Sequence, residues 1–266
     1  ADYITTGTWT KKAFNEGSKI MNVKNIFSSE EDKFSHAPNI ENLSLSKEAA
    51  YVHYCPNETI QGNAIHKIPN IDKPLIADMS SVILSEPIDV TKFSLIYAGA
   101  QKNIGPAGLT LVIIEKEFMQ KDNSDLPNLL RYSQHARAES MLNTPPTFAW
   151  YMAGKVFKWI KKSGGLKFFK DQNDAKASML YSYIDNSSFY NNYVNFDNRS
   201  KMNVVFNLSD DALDAKFLTE SNERGLLSLK GHRSVGGMRA SIYNAMPLEG
   251  VKELIKFMDY FESKYG

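Results

Sequence analysis

The feature that most constrains this chain is a series of short apolar runs, each closed by a polar residue. Pro74-Leu75-Ile76-Ala77-Asp78, Phe93 to Ala98 and Leu109 to Ile114 are nearly continuous in apolar side chains, and Ala49 to Cys55, closed by Pro56 and Asn57, is of the same kind. A strand without a polar face has no side to turn to water, so these runs predict an α/β sheet covered on both faces. Ligands of such sheets collect at strand ends. That points to Asp78 and to the small-residue segment Gly99 to Gly108.

Around these runs the chain alternates. Ahead of them lie a short β-rich segment from Tyr3, a predicted helix over Lys11 to Ile20, an apolar stretch over Met21 to Ile26 and a polar loop over Ser28 to Asn42. Thr147 to Lys162 places Phe148, Met152, Val156 and Ile160 four apart with Phe157 beside them, which predicts an amphipathic helix stopped at Gly164-Gly165. Leu166 to Ile184 and Ala212 to Glu223 are predicted helices, and Met202 to Leu208, Leu226 to Leu229 and Met238 to Tyr243 predicted strands. Pro247 then opens a helix whose stripe is Val251, Leu254, Ile255, Met258 and Phe261. The pattern divides into an α/β domain over residues 1–162 and a smaller α+β domain over 163–266, with no internal repeat.

Composition removes several function classes. In 266 residues, 42% of them hydrophobic, there is material for real cores, and 31 basic against 30 acidic residues give no broad field for nucleic acid or anionic membrane. A single cysteine, Cys55, forms no internal disulfide and suits a reducing compartment. The apolar runs are too short to span a bilayer and no signal sequence opens the chain, so the expectation is a soluble, cytoplasmic protein. The chain opens Ala1-Asp2-Tyr3 without Met, so the expectation is a processed or truncated start.

Three places carry candidate chemistry. Lys102 follows an apolar strand in a loop of small residues, which leaves room for a flat ligand. Desolvation there would lower its pKa and make it a nucleophile toward carbonyls, while the plainer alternative is a solvent-facing lysine in a Gly-Pro turn. Asp78 ends another apolar strand. An amine and a carboxylate at neighbouring strand ends are what pyridoxal phosphate needs, the carboxylate keeping the pyridine nitrogen protonated; the alternative is a carboxylate capping its own turn through Ser80 or Ser81. Trp9 could stack on such a ring or simply pack in the core. Finally, Lys230-Gly231-His232-Arg233 to Arg239 combines freed backbone with His and Arg, suited to gripping an anion, or else forms an exposed basic hairpin. His53-x-Cys55 lacks a second pair at ligand spacing, so no metal site is expected, and neither GxxxxGK[ST] nor GxSxG occurs.

Several stretches together resemble one family. Tyr97-Ala98-Gly99-Ala100-Gln101-Lys102-Asn103-Ile104-Gly105-Pro106-Ala107-Gly108, Asn143-Thr144-Pro145-Pro146-Thr147-Phe148, Gly231-His232-Arg233, Arg239-Ala240-Ser241-Ile242-Tyr243-Asn244-Ala245 and Tyr54-Cys55-Pro56-Asn57-Glu58-Thr59-Ile60 are similar, in order and spacing from Ala1 to the C-terminus, to the phosphoserine aminotransferases. The resemblance implies a fold-type-I, pyridoxal-phosphate-dependent class-V enzyme: a large α/β domain with a mostly parallel sheet and a smaller C-terminal domain, working as a homodimer. It implies Lys102 as the lysine that carries the cofactor and shuttles the proton, Asp78 at the pyridinium nitrogen, Trp9 on the ring and Thr59 near its substituents. Gln101 would help hold the cofactor phosphate with Asn143 and Thr144 reaching over from the partner subunit, while His232 and Arg233 would hold the substrate phosphate and Arg239 its α-carboxylate.

The implied reaction transfers an amino group from glutamate to 3-phosphohydroxypyruvate, giving phosphoserine and 2-oxoglutarate in serine biosynthesis; bacterial members also serve a step of pyridoxine synthesis. Members of the family carry, ahead of the position of Ala1, a glycine-rich turn for the cofactor phosphate and a substrate-contacting arginine. The expectation is therefore that the whole protein is the aminotransferase and that this stretch alone binds cofactor weakly or not at all. The alternatives are an inactive fragment serving as an interaction module and a sister aminotransferase for another keto acid.

Overall fold

The structure, a computed structural model, describes residues 1–266. β1 (Asp2–Thr5) is buried along its whole length and leads through Gly7 into α1 (Thr8–Gly17). There follow β2 (Lys24–Ser28), β3 (Val52–Tyr54), a small hairpin of β4 (Asn57–Glu58) and β5 (Asn63–Ala64), then β6 (Leu75–Asp78), β7 (Leu95–Gly99) and β8 (Thr110–Ile114). Six of these form one sheet in the order β2-β1-β3-β6-β7-β8. Neighbours are parallel from β2 to β7, and β8 closes the edge antiparallel. The central strands Ile4, Val52, Ala77, Ile96 and Ala98 belong to one apolar cluster with Ile104 and Ala153, the two-sided burial that their unbroken apolar character required.

After the short helices α2 (Lys116–Met119) and α3 (Tyr132–Arg137), α4 covers Thr147–Lys162, the residues predicted. Of the predicted stripe, Ile160 is buried and Met152 and Val156 are half-buried, but Phe148 is not. Ala149, Ala153 and Ile160 are buried, while Phe148 is 71% exposed and Tyr151 60%. Small side chains let the helix approach the sheet closely, as where Ala153 lies beside Gly105, and the large aromatics are left outside.

The remaining chain builds a second core. α5 (Gly165–Asn186) is followed by β9 (Tyr190–Asn191), β10 (Asn203–Leu208), α6 (Asp214–Glu223), β11 (Met238–Ser241) and α7 (Leu248–Tyr265). The three strands form an antiparallel sheet, β11-β10-β9, and Val204, Phe206, Phe217, Leu254, Met258 and Phe261 lie in its apolar cluster. Leu226–Leu229 is not the strand expected. Ser228 takes a left-handed φ of 63°, which breaks the extended run, and only a single bridge, Lys230 to Met238, joins this stretch to β11. No helix is long and apolar enough to cross a membrane.

Candidate active site

The large sheet changes direction between β1 and β3: the chain leaves β1 for β2 on one side and β3 for β6 on the other. Such a switch point opens a crevice at the carboxyl ends of the strands. Here the crevice receives the start of α1 from β1, Cys55 to Thr59 from beyond β3, Asp78 from the end of β6 and Gln101-Lys102 from beyond β7. A cleft of about 370 Å³ results, lined by Trp9, Cys55, Thr59, Asp78, Gln101 and Lys102 among others. Five residues singled out in the sequence, spread over more than ninety positions, thus share one cavity.

Lys102 is the only amine in this wall, and its Nζ donates to Thr59 Oγ1 at 2.5 Å. Burial pushes its pKa down, against the opposing pull of Cys55, Asp78 and Glu58, with Arg239 adding to the lowering. A lysine so placed is more readily deprotonated than one in water, which a nucleophile or proton carrier requires. The turn-lysine alternative fails on this burial and bonding.

Asp78 combines the turn-capping role with a place in the cleft wall. Its Oδ1 caps its own turn, accepting from Ser80 N at 2.9 Å and Ser80 Oγ at 2.6 Å, and the carboxylate also lines the cleft. Ser80 Oγ in turn accepts from Gly99 N at 3.0 Å, tying the end of β6 to the end of β7 and so Asp78 to the loop that carries Lys102. Behind them His53 is buried, its Nε2 paired with Tyr97 OH at 2.9 Å, while Cys55 is buried with its thiol pKa pushed well up by desolvation.

Trp9 is held through the N-terminus of α1. Glu58, fully buried, accepts from Trp9 N, Thr10 N and Thr10 Oγ1 at 3.0, 2.8 and 2.7 Å, so a carboxylate meets the positive end of the helix. Burial still pushes the pKa of Glu58 up. Gly7 has to be glycine here, because a Cβ would lie 2.3 Å from the Glu58 side chain. Trp9 itself is 41% exposed, with the Lys12 ammonium 4.8 Å from its ring centre, so it is a wall of the cleft rather than a core residue. Neither Glu58 nor Asn57 was identified from the sequence, although both fall inside the quoted stretch Tyr54 to Ile60.

From the second sheet Arg239 reaches across. Its Nη1 donates to Thr59 O at 3.4 Å and its Nε is buried without a partner, a cation at the cleft with donors to spare. His232 and Arg233 are not brought into the cleft: they sit on the loop before β11, Arg233 exposed and His232 paired through Nδ1 with Ser234 Oγ at 2.7 Å. Asn143 and Thr144 are also exposed, on the approach to α4, away from the lining.

The donor set fits pyridoxal phosphate. The cleft offers a partly desolvated amine, a carboxylate whose hydrogen bonds use only one oxygen, a hydroxyl and an indole wall, and no group of three or more His, Cys, Asp or Glu that could hold a metal lies in the molecule.

Residues 18–254 match the family described as aminotransferase class-V. The chain is 53% identical, over its whole length and 74% of the relative's, to the phosphoserine aminotransferase of Acinetobacter baylyi. Among solved structures it is similar to the phosphoserine aminotransferase of Bacillus circulans subsp. alkalophilus, at 43% identity and a TM-score of 0.97, covering 100% of this chain and 74% of that one. It is also similar to the pyridoxal-phosphate-bound phosphoserine aminotransferase of Trichomonas vaginalis, at 40% identity and a TM-score of 0.93, covering 97% and 75%.

Proposed function

Because the chain belongs to the class-V aminotransferases and, within them, to the phosphoserine aminotransferases, we propose that it transfers the amino group of L-glutamate to 3-phosphohydroxypyruvate, yielding O-phospho-L-serine and 2-oxoglutarate. The observation that carries this reading is the single cleft shared by the Lys102 amine, Thr59, Asp78 and Trp9, with the spare donors of Arg239 beside it. When bound, pyridoxal phosphate supplies an aldehyde carbon for the amino group and a ring that withdraws electrons from it.

The residues then divide the work. Lys102 would hold the cofactor and would move the proton at the substrate α-carbon; its burial and lowered pKa support this. Asp78, oriented by Ser80, would hold the ring nitrogen in its protonated form. Trp9 would cover the ring, Thr59 would bond beside it, and Gln101 would join the phosphate grip, all three lining the cleft. Arg239 takes the α-carboxylate shared by both substrates, and its unpartnered Nε supports that role. His232 and Arg233, on the loop before β11 and outside this cleft, are given the substrate phosphate by the family resemblance alone, a grip that would separate 3-phosphohydroxypyruvate from unphosphorylated keto acids.

The working unit is a homodimer in which Asn143 and Thr144 of one protomer complete the phosphate site of the other. Exposed Phe148, Trp150 and Tyr151 on α4, beside those two residues, support it: an apolar face of this kind is unusual on a monomer. The protomer divides into a large cofactor domain over 1–162 and a small domain over 163–266, a division supported by the two separate apolar clusters. The buried, unpaired thiol of Cys55 suits the reducing cytoplasm.

Steady-state turnover with glutamate and either 3-phosphohydroxypyruvate or hydroxypyruvate tests the assignment. The phosphorylated acid is the better substrate, and Arg233→Ala lowers kcat/KM for it by at least about tenfold while leaving hydroxypyruvate nearly unchanged. Equal damage to both substrates would refute the phosphate role.

A further inference from the structure

Arg239 is poorly anchored by its own bonds. Its one contact to the cleft is 3.4 Å long, at the weak edge for an N–H···O bond, and its Nε has no partner. Something else fixes its distance from Lys102, and the bonding around Asn203 supplies it.

Asn203 is fully buried at the start of β10, in register with Ser241 of β11. Its amide is used completely. Oδ1 accepts from Asn57 Nδ2 at 2.9 Å, and Nδ2 donates to Ser241 Oγ at 3.1 Å and Tyr243 OH at 3.0 Å. Asn57 is equally committed: Nδ2 also donates to Ser81 Oγ at 2.8 Å, and Oδ1 accepts from Ser200 Oγ. Two residues beyond Asn57 stands Thr59, whose hydroxyl receives Lys102 and whose carbonyl receives Arg239. Two residues before Ser241 stands Arg239, on the same face of β11 because side chains alternate along a strand. The approach is tight as well: Gly62, at φ 70°, would put a Cβ 2.7 Å from Asn203 O.

We propose that Asn203 is a positioning residue of the reaction. By bonding Asn57 on one side and Ser241 with Tyr243 on the other, it sets the α-carboxylate grip of Arg239 at a fixed distance from the Lys102–Thr59 end of the cleft. The proposal rests on the carboxylate role given to Arg239 above. Buried amides are costly when half satisfied, so losing one partner frees the others to shift rather than leaving the geometry in place.

The test is a double-mutant cycle on the holoenzyme, measuring kcat and KM for glutamate and the dissociation constant of α-methyl-L-glutamate, which lacks the transferable α-hydrogen, by the change in cofactor absorbance. Asn203→Ala raises KM and that dissociation constant by about tenfold with a much smaller change in kcat, and in the Arg239→Ala background it adds less than about twofold. Asn57→Ala, which removes the same bond from the other side, gives the same pattern, so the test does not depend on one variant folding. Equal factors for Asn203→Ala in both backgrounds, or a loss confined to kcat, would overturn the proposal while leaving Arg239's role intact. An unchanged glutamate KM in Arg239→Ala alone would instead overturn that role, and the proposal with it.

Discussion

His53 is enclosed by aromatic rings, Tyr3 at 5.0 Å and Tyr97 at 6.0 Å between centroids, with its Nδ1 buried and unpartnered. Burial pushes its pKa down to about 4 from the ordinary 6.5, against the pull of Asp78. The unfolded chain takes up a proton below pH 6.5 that the folded one refuses until about pH 4, so stability present above 6.5 is lost as pH falls through this window. The effect is worth up to about 3 kcal/mol. Chemical denaturation of wild type and His53→Gln between pH 7 and 4 checks it: the wild type loses the larger share of its stability over that range, and parallel curves would contradict this. Lys102, Asp78 and Trp9 were legible as single residues because each stands at the end of a patterned element. Asn57 and Asn203 were not, since a hydrogen bond between side chains 146 positions apart leaves no local pattern to detect.

Between elements, the connection of α5 to the turn after β11 relies on a buried lysine. Lys176 Nζ donates to the carbonyls of Ile242, Tyr243 and Met246 at 2.9, 2.8 and 3.0 Å, while Asn244 of the same turn donates its N–H to Asn103 Oδ1, next to Lys102. Burial lowers the Lys176 pKa to about 8 from 10.5. Between those values the unfolded state holds the extra proton, so stability rises with pH across the window. The unfolding free energy of wild type relative to Lys176→Met therefore grows between about pH 8 and 10.5, measured by urea titration, and a flat difference would refute the burial argument. At this scale the sequence was informative about where elements lie and less so about which face they bury. The predicted span of α4 is the observed one, yet of its predicted stripe Ile160 is buried while Phe148 lies outside, because Ala149 and Ala153 suit close approach to the sheet better than Phe148 does. Leu226 to Leu229 had the composition of a strand but not the backbone, and the left-handed Ser228 is invisible in composition.

For the molecule as a whole, the near-zero net charge of +1 excludes a general polyanion field and coexists with a single half-buried cation, Arg239, held beside the cleft. The outward aromatics Phe148 and Tyr151 predict self-association through α4. Sedimentation velocity checks it: the protein sediments as a dimer, and Phe148→Asp with Tyr151→Asp shifts it toward monomer by a tenfold or greater weakening, on the order of 1.4 kcal/mol or more. A wild-type monomer, or a dimer untouched by the substitutions, would place the interface elsewhere.

All of these scales meet at one amine. The most direct measurement is to incubate the protein with pyridoxal phosphate, reduce with borohydride and map the modified peptide by mass spectrometry. For the protein with its cofactor bound, the account predicts that the pyridoxyl label falls on Lys102 and is lost in Lys102→Ala. An absent label, or one distributed over surface lysines with Lys102 unmodified, would contradict it.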